Sequence, residues 1–132
     1  MSLAAGRGPD PPRCGVTGMR LEKLRDLIRC EVLTGADGLD TEIDTVVASD
    51  AMSVVLASPH PRALMITGLT NIQSVRTAQV AYLPAIMYVR GSRPTEATVK
   101  LARDNKMVLL STKLGMFDSC GILYSHGLRG GN

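Results

Sequence analysis

Four short segments carry the side chains best suited to hold a ligand: Ser49-Asp50, Thr67-Gly68-Leu69-Thr70-Asn71, Arg90-Gly91-Ser92-Arg93 and Ser111-Thr112-Lys113. Each follows a short apolar run and is expected at the carboxyl end of a strand, where helix N-termini converge. Hydroxyls, helix-start amides, two arginines and a lysine gathered there would receive an anion such as a phosphate or carboxylate. The candidate ligand-binding residues are Ser49, Asp50, Gly68, Thr70, Asn71, Arg90, Gly91, Arg93, Thr112 and Lys113. The competing assignment makes Asp50, Thr70, Asn71 and Thr95 plain helix caps and leaves Arg90, Arg93 and Lys113 in solvent.

Catalysis has less to stand on. There is no GxxxxGK[ST] run, which excludes a P-loop kinase or NTPase, no GxGxxG after a strand, and no GxSxG elbow. Asp50, Asp104 and Asp118 fall on separate elements and assemble no carboxylate dyad. His60 sits between Pro59 and Pro61 in a loop, with no Ser or Cys at a partnering spacing. Arg76 lies opposite Ile72, Val75 and Ala78 on its helix and is expected to face water. Cys14, Cys30 and Cys120 form no CxxC and have no ligand-like spacing to His60 or His126. They read as reduced thiols, with no zinc site and no cofactor expected.

The elements that must position the rim are organised around 62–93. Ala63-Leu64-Met65-Ile66 is a short apolar run, helical periodicity runs from Ile72 to Tyr82, and Ala85-Ile86-Met87-Tyr88-Val89 is a second run. Two apolar runs joined by an amphipathic helix imply parallel strands covered on both faces. Upstream, the spacing predicts a helix over 19–29, a strand at Glu31-Val32-Leu33 and a strand at Thr45-Val46-Val47-Ala48. Asp50 is the expected N-cap of a helix over 51–57, which Ser58-Pro59-His60-Pro61 ends. Downstream come a helix capped by Thr95, a strand at Met107-Val108-Leu109-Leu110, and a helix over 117–125. That last helix has Phe117, Cys120 and Tyr124 on one face and Gly127 as terminator. From Thr45 the order is strand then helix, four times. Right-handed crossovers turn that order into a three-layer α/β/α sandwich, an α/β fold with a mostly parallel sheet of four to five strands.

Composition agrees. The chain of 132 residues is one domain's worth, 45% hydrophobic and only 3% aromatic with no Trp, so aliphatic side chains and Met must fill the core. The net charge of +3 is spread over scattered Arg and Lys without stacking aromatics, which argues against nucleic acid. No apolar run approaches the roughly 20 residues that span a bilayer. No signal-peptide pattern opens the sequence, so the expectation is cytoplasmic, without a membrane partner. Residues 1–18, rich in Gly and Pro, are expected to be a tail with Thr17 as the first helix cap; 19–127 form the domain, and 128–132 are expected to fray.

The runs Val47-Ala48-Ser49-Asp50, Ile66-Thr67-Gly68-Leu69-Thr70-Asn71-Ile72-Gln73 and Val89-Arg90-Gly91-Ser92-Arg93-Pro94-Thr95 resemble the DRTGG domain family, over roughly 21–124. Members occur alone, beside CBS domains, before phosphotransacetylases and near iron hydrogenase genes. Their fold is similar to the N-terminal domain of HPr kinase/phosphorylase. Here Leu69-Thr70-Asn71 stands where the family carries an Asp-Arg-Thr-like run, and Arg90-Gly91 where it carries Gly-Gly. The resemblance implies an α/β/α fold, a regulatory or ligand-sensing role without catalysis, and homodimerisation. The expected function is therefore a non-enzymatic regulatory domain that binds a small phosphorylated or nucleotide ligand on the rim. The alternatives are a pure dimerisation or docking module and a small enzyme acting on a phosphorylated substrate.

Overall fold

The computed structural model describes residues 18–132. Cys14, Thr17 and nearly all of the expected tail lie outside the described residues. The strands are β1 (Met19–Arg20), β2 (Glu31–Thr34), β3 (Glu42–Ile43), β4 (Thr45–Ala48), β5 (Ala63–Thr67), β6 (Ala85–Tyr88), β7 (Val108–Ser111) and β8 (Arg129–Gly130). The helices are α1 (Leu21–Ile28), α2 (Met52–Leu56), α3 (Ile72–Val80), α4 (Glu96–Asp104) and α5 (Met116–Ser125).

Six strands form one sheet in the order β2-β7-β6-β5-β4-β8, and β1 pairs with β3 as a small antiparallel ribbon. All pairs in the large sheet are parallel except β2 with β7, which is antiparallel. The mostly parallel α/β sandwich read from the sequence is the observed fold, with one strand more than the upper expectation.

From β4 to β7 the chain advances one strand at a time in one direction, so right-handed crossovers put α2, α3 and α4 on one face. The step from β7 to β8 runs back across the sheet and sends α5 to the other face, beside α1. The core divides accordingly. Val47, Met65, Ile86 and Leu109 meet Val55, Val75, Ala78 and Ala102 from α2–α4. Leu64, Ile66, Met87 and Leu110, the alternate residues, meet Leu21, Leu24, Ile28 and Leu123 from α1 and α5. Strand residues point to opposite faces in turn, so near-continuous apolar runs are what a doubly covered sheet requires.

Three local expectations are corrected. The segment 128–132 does not fray: Leu128 is buried, β8 lies parallel to β4, and the Gly131 amide donates to the Val46 carbonyl at 2.8 Å. An isolated Leu after a helix-ending glycine shows no periodicity, yet it is buried in the same core cluster as Val46 and Leu123. Asp50 does not cap α2, whose N-cap is Ala51 without a side-chain bond. On α5, Phe117 and Tyr124 share a face, but it is the exposed one, and Ser119 and Leu123 form the buried side. Thr95 does cap α4, its hydroxyl accepting from the Thr98 amide at 3.2 Å. Gly127, at φ 102°, ends α5 as expected.

Candidate functional site: the carboxyl rim of the sheet

β4, β5, β6 and β7 are in register, Ala48 beside Ile66, Thr67 beside Tyr88, and Tyr88 beside Ser111, so their carboxyl ends lie side by side. All ten candidate residues follow those ends. They divide into two groups with different surroundings.

The first group is built on Asp50. Its carboxylate accepts from the Gly68 amide at 2.7 Å and from the Thr67 hydroxyl at 2.9 Å, clasping the end of β5 to the loop after β4. Ser49 forms its own turn, its Oγ accepting from the Ala51 amide at 2.9 Å. Arg90 rests against Gly68: a Cβ at Gly68 would collide with its guanidinium and lie 3.6 Å from Asp50 Oδ1. Glycine is needed there for close approach, not for a special φ. The Gly68 amide, then the Thr67 hydroxyl and the charge of Arg90, hold the Asp50 carboxyl below its usual range. A depressed carboxyl stabilises the fold fully above about pH 4 and loses that contribution as pH falls through its folded value. A carboxyl-carbon NMR titration of Asp50 should give a midpoint below the ordinary ~3.9; a midpoint at or above it would contradict the clasp. The Thr70 carbonyl accepts from the Thr98 hydroxyl at 3.0 Å, so this turn braces α4. The Asn71 side chain does not cap α3, though its carbonyl accepts from Ser74 Oγ at 2.7 Å.

The second group opens onto a cavity of about 660 Å³. Gly91, Arg93, Thr112 and Lys113 line it, together with residues the sequence reading did not assign to a site: Leu27, Ile28, Arg29 and Glu31, then Leu114 and Ile122. It exists because β2 enters antiparallel beside β7, so Glu31 sits opposite Ser111 and the end of α1 reaches the rim. The Thr112 hydroxyl donates to the Ile28 carbonyl at 2.9 Å and fastens that junction. The Gly91 amide donates to the Thr112 carbonyl and the Arg90 amide to the Leu114 carbonyl, both at 2.8 Å, joining the loops after β6 and β7. Arg93 bridges to Glu31 at 2.8 Å. Asp26 pairs with its neighbour Arg25, and Arg29 has no side-chain partner among the described residues. Lys113 likewise has no side-chain partner among the described residues. Three cations and one carboxylate therefore surround the cavity.

No family model matches the sequence, and no curated protein does. A solved structure does resemble it: the CBS and DRTGG domains of the regulatory region of Clostridium perfringens pyrophosphatase, complexed with the activator diadenosine tetraphosphate. The TM-score is 0.68 over 96% of this chain, at 12% identity. The fold is DRTGG-like. This chain spans 56% of the length of that one.

Among the described residues no cluster of three or more metal-ligating side chains occurs, and no helix is long and apolar enough to cross a membrane. Burial pushes the Cys30 thiol up to about 12 and raises Cys120, keeping both protonated and unreactive at neutral pH. Arg76 is exposed, as expected. His60 is half-buried at the opposite end of the sheet, accepting the Arg62 amide at Nδ1 at 3.0 Å.

Proposed function

We propose that this chain is a non-enzymatic, ligand-sensing regulatory domain that holds a small anionic ligand, phosphorylated or nucleotide, on the rim of its sheet. The observation that carries the reading is the convergence of Arg29, Arg93 and Lys113 on one 660 Å³ cavity with Glu31 as the opposing charge. That volume lies within the range of small-molecule sites, about 300–1,000 Å³. The architecture it shares with a pyrophosphatase regulatory region bound to a nucleotide activator supports the same reading. An entering anion would take Arg93 from Glu31, so occupancy would loosen the tie between β2 and the loop after β6.

Thermal-shift screening with phosphorylated metabolites and nucleotides tests it. Ligand at one hundred times its Kd stabilises by about 2.7 kcal/mol, a shift of several degrees. The pair Arg93→Ala and Lys113→Ala should abolish that shift. Arg103→Ala, which removes the same charge from the far end of α4, should leave it intact. Retention in the double variant would move the site elsewhere on the rim, and no shift with any anion would remove the proposal.

Phe117 and Tyr124, 88% and 61% exposed on one face of α5, favour the second reading, a homodimerising or docking module. Light scattering at tens of micromolar should then give a dimer mass that Phe117→Ser with Tyr124→Ser returns to monomer. A monomer from the unsubstituted chain would end the homodimer form of that reading.

A further inference from the structure

The cavity between α1, β7 and α5 is divided in its chemistry. The side chains of Leu27, Leu114 and Ile122, from two helices and a loop, form an aliphatic wall. Arg29, Arg93 and Lys113 are exposed, so the charge lies at the mouth. No aromatic ring is among the lining residues, so the cavity has no aromatic platform for a base.

The two lining hydroxyls are also committed elsewhere. Ser111 Oγ donates to the Ser92 carbonyl at 3.2 Å. Thr112 Oγ1 donates to the Ile28 carbonyl and accepts from the Leu114 amide at 3.2 Å. A site built to read a nucleobase presents neutral donors and acceptors to its edge, and a ligand whose polar edge stays unpaired is rejected. This wall instead suits a hydrocarbon body, and the net double positive charge of the mouth suits a dianion.

From this division we infer that the occupant is an aliphatic phosphate monoester, its phosphate held by Arg29, Arg93 and Lys113 and its chain lying against Leu27, Leu114 and Ile122. The inference rests on the anion-sensing reading above and narrows it to one class of ligand. The same chemistry could come from a soluble alkyl phosphate or from a phosphate-headed lipid in a membrane, and the test separates them.

The full chain is titrated calorimetrically with inorganic phosphate and with butyl, hexyl and octyl phosphate below their aggregation concentrations. Octanol, octyltrimethylammonium, AMP and ATP are run alongside. Affinity should rise roughly fourfold per added methylene, octanol and the ammonium should give no heat of binding, and AMP should bind no tighter than inorganic phosphate. Ile122→Ser, which adds no charge beside Arg29, Arg93 and Lys113, should flatten the dependence on chain length; the ligand series on the unsubstituted chain stands alone if that variant fails to fold.

Tighter binding of AMP or ATP with no chain-length trend would overturn this inference and leave the anion-sensing reading standing. No binding by any anion would overturn both. Equal binding of octanol or the ammonium would reduce the cavity to apolar adsorption and overturn the inference. Binding to phosphatidylcholine vesicles containing phosphatidic acid, without binding to the soluble esters, would name a lipid as the source of the monoester. If that binding survived Arg93→Ala with Lys113→Ala, recognition would lie outside the cavity and the inference would fall.

Discussion

Gly35→Ala is expected to lower stability by about 2–4 kcal/mol, a large fraction of the total for a domain of this size. Gly35 follows β2 at φ 79°, a conformation that costs an L-residue about 1–2 kcal/mol. The added Cβ would also sit 2.9 Å from Val108 Cα, 2.9 Å from its Cγ2 and 3.1 Å from the Met107 carbonyl oxygen. Two of those atoms are backbone, one in β7 and one in the residue just before it, and cannot swing aside. The neighbouring Thr34 hydroxyl donates to the same Met107 carbonyl at 2.7 Å, so relief by backbone shift would strain a buried bond as well. Gly121 gives the opposite sign. It lies in α5 with nothing within 4 Å of a built Cβ, and alanine there should stabilise by up to about 1 kcal/mol through helix propensity. Urea denaturation midpoints measure both. A Gly35→Ala midpoint within error of the parent would refute the close approach of β2 to β7.

Tyr88 should divide into a small and a large effect. It is fully buried in β6, and its hydroxyl lies 2.8 Å from Ser74 Oγ, which donates onward to the Asn71 carbonyl. Tyr88→Phe leaves Ser74 its acceptor and should cost about 1 kcal/mol. Tyr88→Ala opens a cavity at the buried carboxyl end of β6 and should cost about 3–5 kcal/mol. Alkaline pH supplies an independent readout. Burial pushes the phenol up to about 12, with the Ser74 bond pulling weakly the other way. The raised value means stability is full below about pH 10 and declines as pH approaches the folded value. The phenylalanine variant should lack that component of the alkaline decline. An unchanged alkaline profile would show that Tyr88 is not the group responsible.

What was legible in the sequence was local. Ala85-Ile86-Met87-Tyr88-Val89 could only be a doubly buried strand, and Thr95 ahead of Glu96 marked a helix start; both are where periodicity and capping put them. The rim followed, because parallel strands in register place their carboxyl ends together. The cavity did not follow. It depends on β2 lying against β7, a pairing between segments far apart in sequence for which no residue type gives a signal, so Arg29 and Glu31 went unassigned. Asp50 shows the same limit. Its type suits an N-cap, but Gly68 and Thr67 offer its carboxylate better partners from a strand that local reading cannot see.

The last residues of the chain carry a consequence for solubility. Their amides and the Asn132 side chain, which donates to the Ala48 carbonyl at 3.1 Å, occupy hydrogen-bonding groups along the flank of β4. Without them β4 becomes a bare margin of valine-rich strand, the kind of template on which chains join edge to edge into aggregates. A short glycine-bearing strip therefore acts as a guard against self-adhesion, and losing it should be felt first as turbidity on concentration, before any change in the fold.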